Sequence, residues 1–443
     1  MKRSIFNSLR DWKEDKKRKP LILRGARQVG KTYILQEFGR RFFPRSHYFN
    51  FEKSKALHSA FAGDIDPKTV TQKLSFHADT SIDLKNDLLI FDEIQECPRA
   101  LTSLKYFEEE MPEIAVCSAG SLLGVHLGPV SFPVGKVNIL SMYPLSFREF
   151  LEAIGDERSL PYYDAAISTK NIPQFVHEHL WERLKWYFIT GGLPEVVQTF
   201  SQTKDDLYEA CKASRKLQNE IIVMYLADMA KHSGKINAMH LDRLWHSVPE
   251  QLGKSQDGSA KKFIFKDAVA GLNRYDRLAG AIDWLEKAGL IIKARIVNSG
   301  KLPFSAYSQE NTFKLFLFDI GILGALSNLE PREILAQDYG SYKGYFAENF
   351  VAQELLVSGQ KQLYSWQENT AEIEFLLQAD GKAIPIEVKS GGVTHAKSLH
   401  IFAAKYHSPS RVIFSANTLQ VNEQTGVHRY PLYLASDLLR AFS

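Results

Sequence analysis

The chain is 443 residues long, room for two to four domains of roughly 100 to 200 residues and for several buried cores. Its 55 lysines and arginines stand against 51 acidic residues, a formal net charge of +4. That balance excludes a histone-like polycation and an acidic disordered tail, and leaves a basic patch on one domain open. At 44% hydrophobic and 24% charged residues the composition is that of an ordinary globular protein; three cysteines, Cys97, Cys117 and Cys211, lack paired metal spacing and point to a reducing cytoplasm.

The N-terminal run MKRSIFNSLRDWKEDKKRKP is charged throughout and lacks the apolar segment of a secretory leader. Leu21 to Leu23 then read as a short strand, Gly25 to Thr32 as G-x-x-x-x-G-K-T, and Ile34, Leu35 and Phe38 fall on one side of a following helix. Strand, glycine loop and helix in this order make a phosphate cradle. Gly25 and Gly30 let the backbone wrap so that the N–H groups of Ala26, Arg27, Gln28 and Val29 point inward at the helix N-terminus. Lys31 reaches the β- and γ-phosphates of ATP, and the Thr32 hydroxyl ligates Mg²⁺.

About 60 residues further on, Leu88 to Glu93 read LLIFDE, an apolar strand suited to burial on both faces of a parallel sheet and ending in two carboxylates. Asp92 is placed to hold Mg²⁺ through water and Glu93 to polarise the attacking water, so the pair points to nucleotide hydrolysis rather than binding alone. A third strand, Ile114 to Cys117, is expected to end at Ser118. Ser118 or Ser121 would then sense the γ-phosphate, or merely satisfy a local backbone group. Lys136 and Arg148 both qualify as a basic finger or sensor. The uncharged stretch from Ile114 to Gly135 has the length of a membrane span, but Gly120, His126, Gly128, Pro129 and Pro133 interrupt it, and no membrane segment is expected.

Residues 150 to 235 follow a helical pattern, with Trp181, Trp186, Tyr187 and Phe188 as core aromatics and Gly191-Gly192-Leu193-Pro194 as a stop between helices. A helix from Tyr275 to Ala288 stops at Gly289, the strand LIIKARIV follows, and KLFLFDIGIL returns after a turn at Asn298 to Lys301. Helices followed by a two-stranded wing suggest a winged helix, with Arg274, Arg277, Lys293, Arg295 and Lys301 available to DNA phosphates, although Asp276, Asp283 and Glu286 dilute that charge.

Near the C-terminus, AEIEFLLQADGKAIPIEVKSG carries Asp380-Gly381, the preferred centre of a two-residue hairpin turn. In that register Ile373, Phe375 and Leu377 face Val388, Ile386 and Ile384. The opposite face sets Glu374 against Glu387 and Glu372 against Lys389. Like charges directly opposed are destabilising, and a divalent cation would convert Glu374 and Glu387 into ligands, with Lys389 beside a water nucleophile; otherwise Lys389 neutralises the glutamates and no metal binds.

The runs GARQVGKT, FDEIQECPRALTSLKYF, AGSLLGV, FPVGKV, YPLSFREF and GGLPEVV resemble the prokaryotic AAA+ superfamily P-loop ATPases that carry a C-terminal domain of unknown function. The likeness covers most of the chain. It implies an ATPase that uses ATP and Mg²⁺, and relatives of this kind complete their sites with a basic residue from a neighbouring subunit, so a homo-oligomer is in keeping. The hairpin resembles PD-(D/E)xK nucleases, which place a further acid where Glu348 stands and have Asp at the position of Glu374. The expected fold is α/β: a P-loop ATPase core with a parallel sheet over 1–155, a helical lid over 156–235, a winged-helix-like domain over 236–332 and a restriction-endonuclease-like domain over 333–443. The function it implies is an ATP cycle that gates a nuclease-like, DNA-directed module; the alternatives are a Mg²⁺-dependent DNA nuclease licensed by ATP and a non-cleaving scaffold or switch.

Overall fold

The computed structural model describes residues 1–121, 132–256, 262–269, 271, 274–336, 342–391 and 397–442. The second half of AGSLLGV, and with it much of the uncharged stretch, lies outside the described residues. The chain divides into two compact units, residues 2–143 with 287–289, and residues 144–286 with 290–443. Among the described residues no helix is long and apolar enough to cross a membrane.

The first unit is built on a five-stranded sheet of β1 (Leu21–Arg24), β2 (Ser46–Asn50), β3 (Leu88–Asp92), β4 (Ala115–Gly120) and β5 (Asn138–Ser141), in the order β2-β3-β4-β1-β5. Every neighbouring pair is parallel. Leu88 to Asp92 are all buried, as expected of a strand covered on both faces. Behind it Phe91 packs against Phe49, Phe51, Phe61 and Phe107 with ring centroids 5.7 to 6.2 Å away, which fixes the end of β3 where Asp92 emerges. The strand expected to stop at Cys117 instead continues to Gly120. Ser118, Ala119 and Gly120 keep pairing with Ile22, Leu23 and Arg24 of β1, so Ser118 is a mid-strand residue rather than a strand end.

The second unit begins with the helical stretch, Phe147–Ala153, Leu160–Thr169, Gln174–Thr190, Pro194–Thr203 and Leu207–Ser233. Tyr187 and Phe188 are buried in it as expected, whereas Trp181 and Trp186 are half-buried, the latter stacked under the Arg183 guanidinium at 3.9 Å. An eight-stranded sheet follows: β6 (Ile291–Val297), β7 (Ser308–Leu317), β8 (Leu363–Glu368), β9 (Ala371–Ala379), β10 (Lys382–Val388), β11 (Arg411–Ser415), β12 (Gln420–Asn422) and β13 (Val427–Pro431), in the order β12-β13-β11-β10-β9-β8-β6-β7. The hairpin read as a wing is therefore the edge of this sheet. β6 pairs antiparallel with β7 on one side and parallel with β8 on the other, so the sheet runs across the boundary expected between 332 and 333. A free β6 edge would leave a row of N–H and C=O groups unpaired, and β8 takes them up.

One helix, Tyr342–Val357, fastens the unit with polar side chains that are themselves buried. Asn349 accepts from Leu317 N–H at 2.7 Å and donates to the Leu317 carbonyl at 2.9 Å, Gln353 accepts from Ile320 N–H at 3.1 Å, and Glu354 accepts from Phe147 N–H at 3.2 Å. Asp319, also buried, takes the N–H of Gly192 at 2.7 Å and of Ile322 at 3.0 Å. Each bond satisfies a strand or helix terminus that burial would otherwise orphan. Burial pushes Asp319 up to about 6 and, against the help of Phe147 N–H, Glu354 up to about 8.

Glu354 is thus protonated in the folded protein over a range where the unfolded chain, with the ordinary value of 4.5, is ionised. Its contribution is fully present below 4.5 and is lost as pH rises through about 8. Thermal melts between pH 5 and 8 should show stability falling by up to ~1.4 kcal/mol per pH unit from this group, and Glu354→Gln, which keeps an acceptor for Phe147, should flatten that slope.

Candidate functional site

β1 ends at Arg24 and delivers the chain into a loop that closes at Gly30, whose φ of 94° is the left-handed turn that starts the helix Lys31–Phe42. A side chain at Gly25 would put its Cβ 2.2 Å from the Met142 carbonyl oxygen, so only glycine fits there. Arg3, outside any motif, clamps the loop from behind: one guanidinium nitrogen donates to the Val29 carbonyl at 3.1 Å and the other to the Tyr143 carbonyl at 2.7 Å. Lys31 is 7% exposed, and its ammonium donates to the carbonyls of Gly25 at 2.9 Å and Ala26 at 2.8 Å. These two bonds carry it across the mouth of the cradle.

Thr32 and Asp92, 60 residues apart in sequence, meet: Thr32 Oγ1 donates to Asp92 Oδ2 at 2.9 Å. The same oxygen accepts from the Tyr48 hydroxyl at 2.6 Å and from Asn50 Nδ2 at 3.3 Å. Both residues come from β2, which pairs Asn50 with Asp92, and neither stood out in the sequence because the pairing is non-local. Burial and the Asp92 carboxylate push the Tyr48 hydroxyl up to about 12, so it remains a donor at any ordinary pH. A hydroxyl and a carboxylate brought to one point are the donor set of a hard cation, and Mg²⁺ fits them. Glu93 follows the strand in a left-handed turn, φ 49°, and Gln95 Nε2 donates to its Oε2 at 2.5 Å. Burial raises the Glu93 carboxyl above its ordinary value despite Lys31 nearby, which makes it a stronger base than a surface glutamate.

The two serines separate. Ser118 is fully buried and its hydroxyl donates to the Leu21 carbonyl at 3.0 Å, the backbone-satisfying alternative, because β4 continues past it. Ser121, at the true strand end, accepts from Arg27 Nε of the loop at 3.3 Å. Lys136 lies 2.9 Å from Glu108 and 3.1 Å from Glu109, and Arg148 is bonded to Asp164 at 2.6 Å and Glu152 at 3.5 Å. Both candidate fingers are held by carboxylates of their own unit.

In the second unit the hairpin turns at Asp380 and Gly381, both at positive φ, and Lys382, Ile384 and Ile386 face Ala379, Leu377 and Phe375 in the expected register. The paired ladder reaches no further. Beyond it Glu387 and Val388 pair with Ile413 and Phe414 of β11, and Glu374 Oε2 instead accepts from Val388 N–H at 3.4 Å. Glu372 does not meet Lys389. Its partner at 2.5 Å is the buried ammonium of Lys314, on β7, which also lies 3.6 Å from Glu348 on the helix Tyr342–Val357. Lys389 bonds Glu387 Oε1 at 2.5 Å. Burial, Glu387 and Glu348 raise Glu374 well above the carboxylate range, and although burial pulls Lys314 down, Glu348, Glu372 and Glu374 outweigh it. Of the cations read as phosphate contacts, Lys293 is half-buried and tied to Glu286 and Asp283, and Arg274 bonds Asp276 at 3.1 Å.

Among the described residues no group of three or more His, Cys, Asp or Glu side chains is placed to hold a metal ion. The nucleotide cradle uses a hydroxyl with its carboxylate and is not of that kind. For Glu348, Glu374 and Glu387 the finding counts against the expected metal: two of the three are already engaged by lysines, and the third by a backbone N–H.

Residues 17–151 match the family described as AAA domain, residues 182–333 a domain of unknown function (DUF8612) and residues 343–434 another (DUF4143). The loop, strand and matched family together make the N-terminal unit a P-loop ATPase domain of the AAA type. Similar solved structures include the Walker-type ATPase of Pyrococcus abyssi, at 16% identity over 73% of this chain and 94% of that one with a TM-score of 0.45. The Thermotoga maritima RuvB Holliday junction branch migration motor is 14% identical over 65% of this chain and 85% of that one with a TM-score of 0.31. The Aeropyrum pernix Orc1 protein in complex with DNA is 14% identical over 75% and 92%, with a TM-score of 0.24. Scores this low add nothing to what the loop and strand establish. Among curated proteins none matches.

Gly25→Ala should abolish nucleotide binding in a fluorescent-ATP titration, since the loop must move away from Met142 to admit the methyl. Tyr48→Phe removes one charge-assisted hydrogen bond to the Asp92 carboxylate and should lower turnover by about tenfold or more with ATP affinity retained.

Proposed function

We propose that this chain is a cytoplasmic ATP hydrolase whose nucleotide cycle acts on a nuclease-like C-terminal module directed at nucleic acid. The observation that carries the hydrolase is the meeting of Thr32 and Asp92 beneath a loop closed by Lys31, with a half-buried Glu93 next in sequence. On binding ATP, Lys31 exchanges the Gly25 and Ala26 carbonyls for the β- and γ-phosphates, and the inward N–H groups of the loop take the remaining oxygens. Thr32 and Asp92 are the residues that would hold Mg²⁺, which would supply neutralisation of the phosphate charge. Tyr48 and Asn50 hold Asp92 in place, and Glu93, oriented by Gln95, accepts a proton from the attacking water. Arg27, linked to Ser121, is the loop side chain that relays the γ-phosphate to the end of β4.

The nuclease-like reading of the module is supported by its element order: helix Tyr342–Val357, strands β8, β9 and β10, helix Lys397–Tyr406, strand β11. Glu348 lies on the first helix, Glu374 within β9, and Glu387 and Lys389 at the end of β10. The non-cleaving form of that reading is favoured by the ion pairs that already engage Glu348 and Glu387 and by the backbone N–H that engages Glu374. Because Lys136 and Arg148 are held within their own units, a second copy of the chain is the natural source of a finger.

Phosphate release from ATP with Mg²⁺, measured alone and with single- and double-stranded DNA, tests this. Stimulation by DNA that both Lys31→Ala and Glu93→Gln abolish supports it, with the rate per chain rising with protein concentration if a second copy completes the site. Hydrolysis indifferent to DNA assigns the module a protein partner, and ATP bound without turnover sinks the hydrolase.

A further inference from the structure

We infer that the ammonium of Lys314 is the built-in cation of the C-terminal carboxylate cluster and holds the place a divalent metal would take, so that the module engages its ligand without metal-dependent cleavage. The inference rests on the nuclease-like reading of the module only for the expectation of a metal there.

Lys314 comes from β7, outside the segment 343–434 that matches its own family, and the sheet brings it in. β7 pairs with β6 and β6 with β8, while the helix Tyr342–Val357 bonds to Leu317 three residues beyond Lys314. The side chain is 6% exposed, 2.5 Å from Glu372 Oε1 and 3.6 Å from Glu348 Oε2. A buried ammonium in such company is a fixed structural charge, because removing it would take away the cation that offsets a buried Glu348 and a half-buried Glu372. On the other side Lys389 engages Glu387 Oε1, and the N–H of Val388 engages Glu374 Oε2.

A hard divalent cation collects six or more oxygens, each at roughly 2.0 to 2.6 Å. Here it would have to displace two ammonium groups and a backbone donor to reach the same carboxylates. Oε2 of Glu387 is buried with no hydrogen-bond partner among the described residues, a single oxygen where such a cation needs several. Lysine differs from a metal in one functional respect. It can neutralise a phosphate or a carboxylate, but it cannot gather and activate a water nucleophile as a bound metal does.

The test is Mn²⁺ binding to the full chain without nucleotide, followed by the electron paramagnetic resonance of free Mn²⁺, with Asp92→Asn throughout to silence the nucleotide site. The expected result is that the wild-type cluster and Glu387→Gln give superimposable curves. Lys314→Met should retain one equivalent of Mn²⁺ at least ~tenfold more tightly, and adding Glu387→Gln should abolish it. One equivalent bound by the Lys314-containing protein and lost in Glu387→Gln overturns the inference. So does a folded Lys314→Met that gains no Mn²⁺. If Lys314→Met fails to fold, the comparison of the Lys314-containing protein with Glu387→Gln still decides. DNA binding by fluorescence anisotropy is measured in parallel: absence of binding removes the nuclease-like reading of the module and leaves the Mn²⁺ result standing.

Discussion

A carboxylate taken out of water must be given donors or a cation, and each functional feature of this protein is an answer to that demand. Asp92 is answered by a threonine from the loop helix and a tyrosine and an asparagine from the neighbouring strand. Asp319 is answered by the N–H groups of Gly192 and Ile322, and Glu354, beside the N–H of Phe147, by keeping its proton. Glu372 and Glu348 are answered by Lys314, and Glu387 by Lys389. Where the answer is neutral and exchangeable, as at Asp92, a cation can later take over; where it is a buried lysine, the charge is already settled.

The nucleotide site gains its precision from what lies behind it. Phe91 is gripped by four other phenylalanines, so Asp92 leaves the sheet at a fixed point. Arg3 pins the back of the glycine loop to the Tyr143 carbonyl, and the close approach of Gly25 to Met142 pins its start. The insertion of β4 between β1 and β3 sets Ser121 beside the loop, where it meets Arg27, and consigns Ser118 to the sheet interior. A rigid frame around a lysine bonded to loop carbonyls is suited to a site whose occupant changes with each turnover.

The second unit uses the same economy of buried polar groups for a different end. Three side chains on one helix, Asn349, Gln353 and Glu354, each meet the backbone of a distant element, and the same helix carries Glu348 into the carboxylate cluster. The elements that these bonds fasten are those that bring β7, and therefore Lys314, to the cluster. Packing and site chemistry are consequently inseparable there: the β6–β7 hairpin is at once the edge of the sheet and the source of the cluster's cation.

The sequence by itself determined the glycine loop and its helix, the apolar strand ending in Asp92 and Glu93, and the Asp380-Gly381 hairpin with its apolar face. Each depends on sterics and periodicity within a few residues, and local pattern is sufficient for that. It did not reveal that β4 runs past Ser118, that Tyr48, Asn50 and Arg3 serve the nucleotide site, or that Glu372 pairs with Lys314 rather than Lys389. The wing became the edge of a larger sheet for the same reason. Which strand lies beside which is decided by the burial of whole faces and the pairing of exposed edges, sums taken over the folded chain, and a partner 26, 44 or 58 residues away leaves no mark on the local sequence.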